Sequence, residues 1–446
     1  MKKTTAVLLI LSILVNCSCS LAQGTARGIA EAYLTEYTKG NYKAMLESFR
    51  LSDEMSSQMT EEMLADLWDK QLTAYCGSFR NLDTENVVAE TEGDKHIFVF
   101  HICFEYQDAV VLVSINNDKE IDSFRLMGFV NTTQKVFDDE LIAEEIYFGS
   151  DYYPALGTYV YSKNAPDKIP IVIIISGSGP QDRFGRIGPN AVYYDIAQGL
   201  AKKGIGVLIF DKRTFNYGSE LGAFVDISEE YLDDSYFAFA KALKLPKADP
   251  SRIYYLGHGL GGHLLPVTAY ETEYKAAGYI FLAANSSPLE DLLVKQYEYL
   301  AKRDGSVTDE EAEQLESVKK MAADVKRLTE ENYMEFDPEE LLGISSYYWL
   351  SLQNYDADRL AADIKQPMLF LYADNDYQVD LSEAEPFKKA LAGRGNAEFR
   401  VMQGLNHVFM KSQNLPVTEN PEREYYIKSE VDSSVIDIIA EFVLRR

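Results

Sequence analysis

Arg252-Ile253-Tyr254-Tyr255-Leu256-Gly257-His258-Gly259-Leu260-Gly261-Gly262 decides how this chain is read. The first five residues, rich in β-branched and aromatic side chains, predict a strand. The glycines that follow predict a tight turn leading into a helix, because glycine alone takes positive φ at no steric cost. The same punctuation recurs on both sides. Short apolar runs at 170–175, 205–211, 278–283, 367–372 and 397–402 alternate with amphipathic stretches. Such runs suit strands buried on both faces of a mostly parallel sheet. A last helix with Val435, Ile436, Ile439, Phe442 and Val443 on one face closes the pattern. Strands alternating with helices predict an α/β fold with a doubly wound sheet over about residues 144–446.

The glycine-rich turn matches G-x-S-x-G at every position except the middle one, where Gly259 stands. On this motif the chain resembles the α/β-hydrolase family, in its secreted esterase-like branch related to serine aminopeptidases and dienelactone hydrolases. The resemblance implies a nucleophile, an acid and a histidine in that chain order. Tyr372-Ala373-Asp374-Asn375-Asp376-Tyr377-Gln378-Val379 resembles the family's acid turn, with the acid at Asp376 and Asp374 as the rival. Gly404-Leu405-Asn406-His407-Val408-Phe409 resembles its histidine loop. Ser176-Gly177-Ser178-Gly179-Pro180-Gln181-Asp182-Arg183 resembles the glycine-rich turn whose backbone amides receive an oxyanion. The donors the resemblance implies are the amides of Ser178 and Leu260.

Glycine carries no nucleophile, so no acyl-enzyme forms at Gly259. Ser176 and Ser178 lie in the oxyanion turn, where the geometry of attack is poor. His258 and His263 flank the elbow, yet no H-E-x-x-H helix or carboxylate spacing makes a zinc site of them with His407. No metal and no cofactor is expected.

With 70 acidic and 43 basic side chains the net charge is −27. That excludes a phosphate-binding surface for nucleic acid, and a basic face for an anionic membrane. Hydrophobic residues make up 46% of the 446, enough for a globular core in two domains.

Residues 1–22 read as a signal peptide: Lys2 and Lys3, an apolar run, then Ser20-Leu21-Ala22 ahead of a cleavage site. The protein is therefore expected to be exported. Leu14-Val15-Asn16-Cys17 is an imperfect lipobox, which leaves a lipid anchor at Cys17 or Cys19 open as its membrane attachment.

Residues 23–135 read as a small α+β domain. Helical faces at Ile29, Tyr33, Leu34 and Tyr37, at Tyr42 to Phe49, and at Met63 to Leu72 precede three β-rich runs at 96–104, 109–115 and 121–129. The order resembles the cone-shaped nuclear-transport-factor-like domains. His96 and His101 read as strand residues. Cys76 and Cys103 are two isolated cysteines, for which a disulfide and two free thiols both stand. Residues 286–363 lack strands and are rich in Glu and Lys; the family resemblance makes them a helical cap, and the cluster Tyr347-Tyr348-Trp349-Leu350 must pack on something.

The expectation is thus an exported protein that binds a small acyl or peptide-like ligand with little or no turnover. A weak ester hydrolase using His407-activated water, and a non-catalytic interaction scaffold, remain as alternatives. Oligomeric state is open.

Overall fold

The structure is a computed structural model that describes residues 20–132, 135–222, 225–353 and 355–445. The apolar run of the expected signal peptide, with Cys17 and Cys19, lies outside the described residues. The chain divides into two units, Met1–Thr133 and Gln134–Arg446.

In the first unit a helix, Ser20–Thr38, buries Ala30, Tyr33, Leu34 and Tyr37. These lie three to four residues apart and so share one face. They meet a four-stranded antiparallel sheet in the order β1 (Phe79–Glu92), β2 (Lys95–Phe104), β3 (Gln107–Asn116), β4 (Ile121–Asn131). Along β2, His96, Phe98, Phe100, Ile102 and Phe104 are buried in strict alternation. The third helical stretch continues from Glu61 to Cys76 through a π-helical segment, Leu67–Leu72. Its Trp68 packs against Tyr37 at 5.2 Å and Phe104 at 5.5 Å between ring centroids.

Sequence reading missed β1. Its fourteen residues are almost all exposed, and pairing with β2 across a bulge between Asp83 and Val88 defines it instead of any apolar rhythm.

A Cys76–Cys103 disulfide is not formed; both thiols are free. Cys76 is buried in the core beneath the sheet, where Gln107 Nε2 donates to its sulfur at 3.7 Å. Cys103 lies between the inward-facing Ile102 and Phe104, so the pleat turns it to the opposite face.

The second unit is built on an eight-stranded sheet in the order β14-β13-β12-β11-β7-β10-β6-β5. Its first members are β5 (Leu141–Gly149), β6 (Pro154–Ser162) and β7 (Ile169–Ile175). Two short strands, β8 (Arg186–Ile187) and β9 (Asn190–Ala191), pair with each other apart from the main sheet. A helix follows, Val192–Lys202. Then come β10 (Gly206–Phe210), β11 (Ala248–His258), β12 (Gly278–Leu282), β13 (Met368–Ala373) and β14 (Ala397–Met402).

The six strands from β14 to β10 run parallel; β6 and β5 return antiparallel at one edge. Every residue of β7, β10, β12 and β13 is buried. Each large aliphatic side chain there contributes about 1.5–3 kcal/mol. The sheet therefore holds its C-terminal strand ends rigidly, and those ends carry the site.

Between β12 and β13 the chain is helical: Leu289–Lys302, Asp309–Val325, Ser346–Leu352 and Ala357–Ala361. A capping box between Thr308 and Glu311 starts the second of these. Trp349 has no exposed surface, and its indole N–H donates to Leu341 O at 2.7 Å. With Leu292, Val325, Leu341 and Leu360 it belongs to the same core as the sheet.

Candidate functional site

β11 ends at His258, and the chain reverses at Gly259 with φ +52° and ψ −121°. That conformation is one side chains rarely adopt. The Gly259 N–H donates to Leu282 O of β12 at 2.9 Å, and its carbonyl accepts from His263 N–H at 2.9 Å, starting the helix Leu260–His263.

The glycines of this turn are not equivalent. A β-carbon on Gly257 would lie 2.5 Å from Gly261 O, and one on Gly261 2.3 Å from Ser176 O. On Gly262 it would stand 2.8 Å from the Ala284 β-carbon. These three are glycine because other atoms occupy the space. On Gly259 a β-carbon would meet nothing closer than His407 Nε2 at 3.7 Å, an ordinary contact. There is room for a side chain at 259.

His407 sits in the loop after β14. Its Nδ1 is 2.7 Å from Asp376 Oδ2, and the Asp376 side chain is wholly buried. Asp376 Oδ1 accepts the amides of Gln378 and Val379 at 2.8 and 2.9 Å, so the carboxylate is held at both oxygens. Asp374 is exposed and does something else: its Oδ1 accepts the Gly404 amide at 2.6 Å, tying the acid turn to the histidine loop. With Nδ1 turned to the carboxylate, Nε2 is the ring nitrogen that faces Gly259. The Asp376–His407–Gly259 constellation is thus brought together.

Several residues that sequence reading gave no role surround it. His258 Nδ1 is 3.2 Å from Tyr193 OH, and its Nε2 is 3.0 Å from His407 O. Burial, with His407 alongside, lowers the His258 pKa to about 3 and keeps it neutral. Tyr193 OH also accepts the Gly177 amide at 2.9 Å and lies 3.0 Å from Gln181 Oε1. His263 turns the other way, toward Asn285 O at 2.8 Å. Among the described residues no three His, Cys, Asp or Glu side chains are grouped to hold a metal.

Lys212, at the end of β10, is buried beneath the turn 176–183, and its pKa is lowered to about 8, chiefly by burial. The one signal in sequence was a charged triplet, Asp211-Lys212-Arg213, directly after a buried strand. Asp211 in turn binds the Arg183 guanidinium at 2.7 Å and fixes the far end of the turn.

Two cavities meet at Ser178. One, about 150 Å³, is lined by Gly177, Gln181, Arg186, Tyr193, Gly259 and His407. The other, about 320 Å³ and mainly apolar, is lined by Pro180, Leu260, Leu289, Ile344 and Tyr348.

The family model of serine aminopeptidase, S33, matches residues 185–414, just over half of the chain. The chain is similar to the esterase EstD of Thermotoga maritima, 29% identical over 417 residues, which cover 93% of this chain and 94% of that one. Among solved structures it is similar to Est1E from Butyrivibrio proteoclasticus, with 17% identity, 68% of this chain and 98% of that one covered, and a TM-score of 0.42. A carboxyl esterase 2 from the fungus Tuber melanosporum gives 16%, 70%, 89% and 0.43 for the same quantities. With the six parallel strands, the elbow after β11 and the family match in hand, this chain belongs to the serine aminopeptidase S33 family of α/β-hydrolases.

Proposed function

We propose that the second unit carries an acyl-hydrolase site without its nucleophile, and that it binds an acyl or peptide-like ligand with little or no turnover. Gly259 occupies the nucleophile position, His407 the base and Asp376 the acid. The observation that carries this reading is the 3.7 Å between a β-carbon at 259 and His407 Nε2, beside a dyad closed at 2.7 Å. A serine hydroxyl, one bond further, would reach that nitrogen. Leu260 opens a helix, so its N–H has no partner inside it and is free to meet an oxyanion; Ser178 supplies the second amide.

Without the serine, turnover falls on the order of a million-fold, while roughly a thousand-fold over water survives from the amides and from binding. The room at Gly259 also supports slow hydrolysis by a water that His407 deprotonates. The 320 Å³ apolar cavity against Leu260 and the insertion favours an apolar acyl group, with residues 286–363 acting as the cap.

We place the protein outside the cytoplasm on its N-terminal sequence, and read the first unit as a cone-shaped accessory domain on its helices packed against a four-stranded sheet.

The test is a fluorophosphonate probe and a panel of p-nitrophenyl acetate, butyrate and octanoate, applied to the mature protein. The reading expects no label and hydrolysis no more than about a thousand-fold over water. Stoichiometric labelling would overturn it.

A further inference from the structure

The ammonium of Lys212 is held by the turn it lies under. Its Nζ donates to Gly177 O at 2.8 Å and to Gly179 O at 2.9 Å, and stands 2.9 Å from Glu230 Oε1. With the Tyr231 hydroxyl oxygen, which accepts at 2.6 Å, four acceptors surround its three protons. The Tyr231 hydroxyl, 2.6 Å from Nζ, donates to the same Gly177 O at 2.7 Å, and its ring centroid is 3.9 Å from Nζ. The backbone N–H of Lys212 donates to Gln181 O at 3.0 Å. Three carbonyls of one turn are thus directed to one residue.

The consequence follows from peptide geometry. The Gly177 carbonyl and the Ser178 N–H belong to one planar trans peptide, so they point in opposite directions. Whatever holds the Gly177 oxygen aims the Ser178 amide. Lys212 and Tyr231 hold that oxygen, so the Ser178 amide points away from them, and Ser178 borders both cavities.

The other side of the pair leads to the insertion. Glu230 accepts from Thr214 Oγ1 at 3.0 Å and from Tyr348 OH at 2.5 Å, and Tyr348 lies on the helix Ser346–Leu352. Burial pushes Tyr231 and Tyr348 well above the usual tyrosine range, so both stay neutral and Lys212–Glu230 is the charged pair of the cluster.

We propose that Lys212 is a positioning residue that aims the Ser178 amide into the acyl site, and that Glu230 and Tyr348 tie this aim to the insertion. The inference rests on the reading of Ser178 as an oxyanion donor. A lysine that merely filled a buried space would stabilise the fold without setting the direction of one amide.

Two readouts test it. The first needs no activity: in full-length protein labelled with ¹⁵N-serine, Lys212→Met is expected to shift the Ser178 amide resonance and speed its hydrogen exchange about tenfold or more, with Tyr231→Phe and Tyr348→Phe giving smaller changes in the same direction. The second uses the Gly259→Ser background, where Lys212→Met is expected to lower kcat about tenfold or more on p-nitrophenyl acetate with KM within about twofold. If Gly259→Ser itself is inactive, the hydrolase reading fails while the exchange measurement still decides the role of Lys212. If Lys212→Met does not fold, the two tyrosine variants decide it by the same exchange measurement. Folded variants whose Ser178 amide neither shifts nor exchanges faster would overturn the proposal.

Discussion

Gly259 and His407 face each other across a gap that fits a side chain: a β-carbon at 259 would stand 3.7 Å from Nε2, the nitrogen that Asp376 leaves unbound. The turn's other close-packed glycines are fixed by sterics, and this one is not. Its positive φ makes glycine comfortable there, since a residue with a side chain would pay about 1–3 kcal/mol of backbone strain.

The contrast among the glycines is measurable by denaturant unfolding. Gly257→Ala and Gly261→Ala are expected to lose several kcal/mol or fail to fold, because their β-carbons would overlap backbone at 2.5 and 2.3 Å. Gly259→Ala should lose only about 1–3 kcal/mol. Equal losses at all three positions would contradict the steric reading.

Asp376 and Asp374 divide their work. The proton shared between His407 Nδ1 and Asp376 should give a downfield ¹H signal that Asp376→Ala removes. Asp374→Ala should keep that signal, since its carboxylate binds the Gly404 amide instead. The reverse pattern would exchange their roles.

Much of this was legible in sequence because the residues involved are punctuation. The elbow and the acid turn each follow a run buried on both faces, the histidine loop follows the largely uncovered edge strand β14, and the six apolar runs coincide with β7 and β10 to β14. The edge strand β5 and its neighbour β6 were not read: β5 buries only Leu141 and Ile146, so its pattern resembles a loop. Lys212 was passed over because its partners are carbonyls of Gly177 and Gly179, which side-chain identity does not encode. His258 was noticed only as a neighbour of the elbow; its bonds to Tyr193 and the His407 carbonyl depend on tertiary approach.

His258 makes acid stability a test of the packing around the site. Its folded pKa of about 3 lies below the ordinary 6.5, so between those values the unfolded chain binds the extra proton. Its contribution is complete above pH 6.5 and is lost as pH falls toward 3, on the order of 5 kcal/mol in all. His258→Gln should therefore be less stable than the parent at pH 7, with the difference narrowing by pH 4 in urea titrations. A difference that does not change with pH would mean the imidazole is not buried neutral.

The insertion is bound into the core and is not a detachable lid. Trp349 is fully buried with the sheet's own core, so Trp349→Ala should cost about 3–5 kcal/mol in urea unfolding of the full chain. A loss below about 1 kcal/mol would show that the insertion folds apart from the sheet.

The most direct measurement is on Gly259→Ser. With Asp376 and His407 joined at 2.7 Å and room for the hydroxyl beside Nε2, the variant should gain at least about a hundred-fold on p-nitrophenyl acetate. It should also label with a fluorophosphonate where the parent does not, while losing about 1–3 kcal/mol of stability. A folded Gly259→Ser protein that neither labels nor hydrolyses would contradict the claim that only the nucleophile is missing.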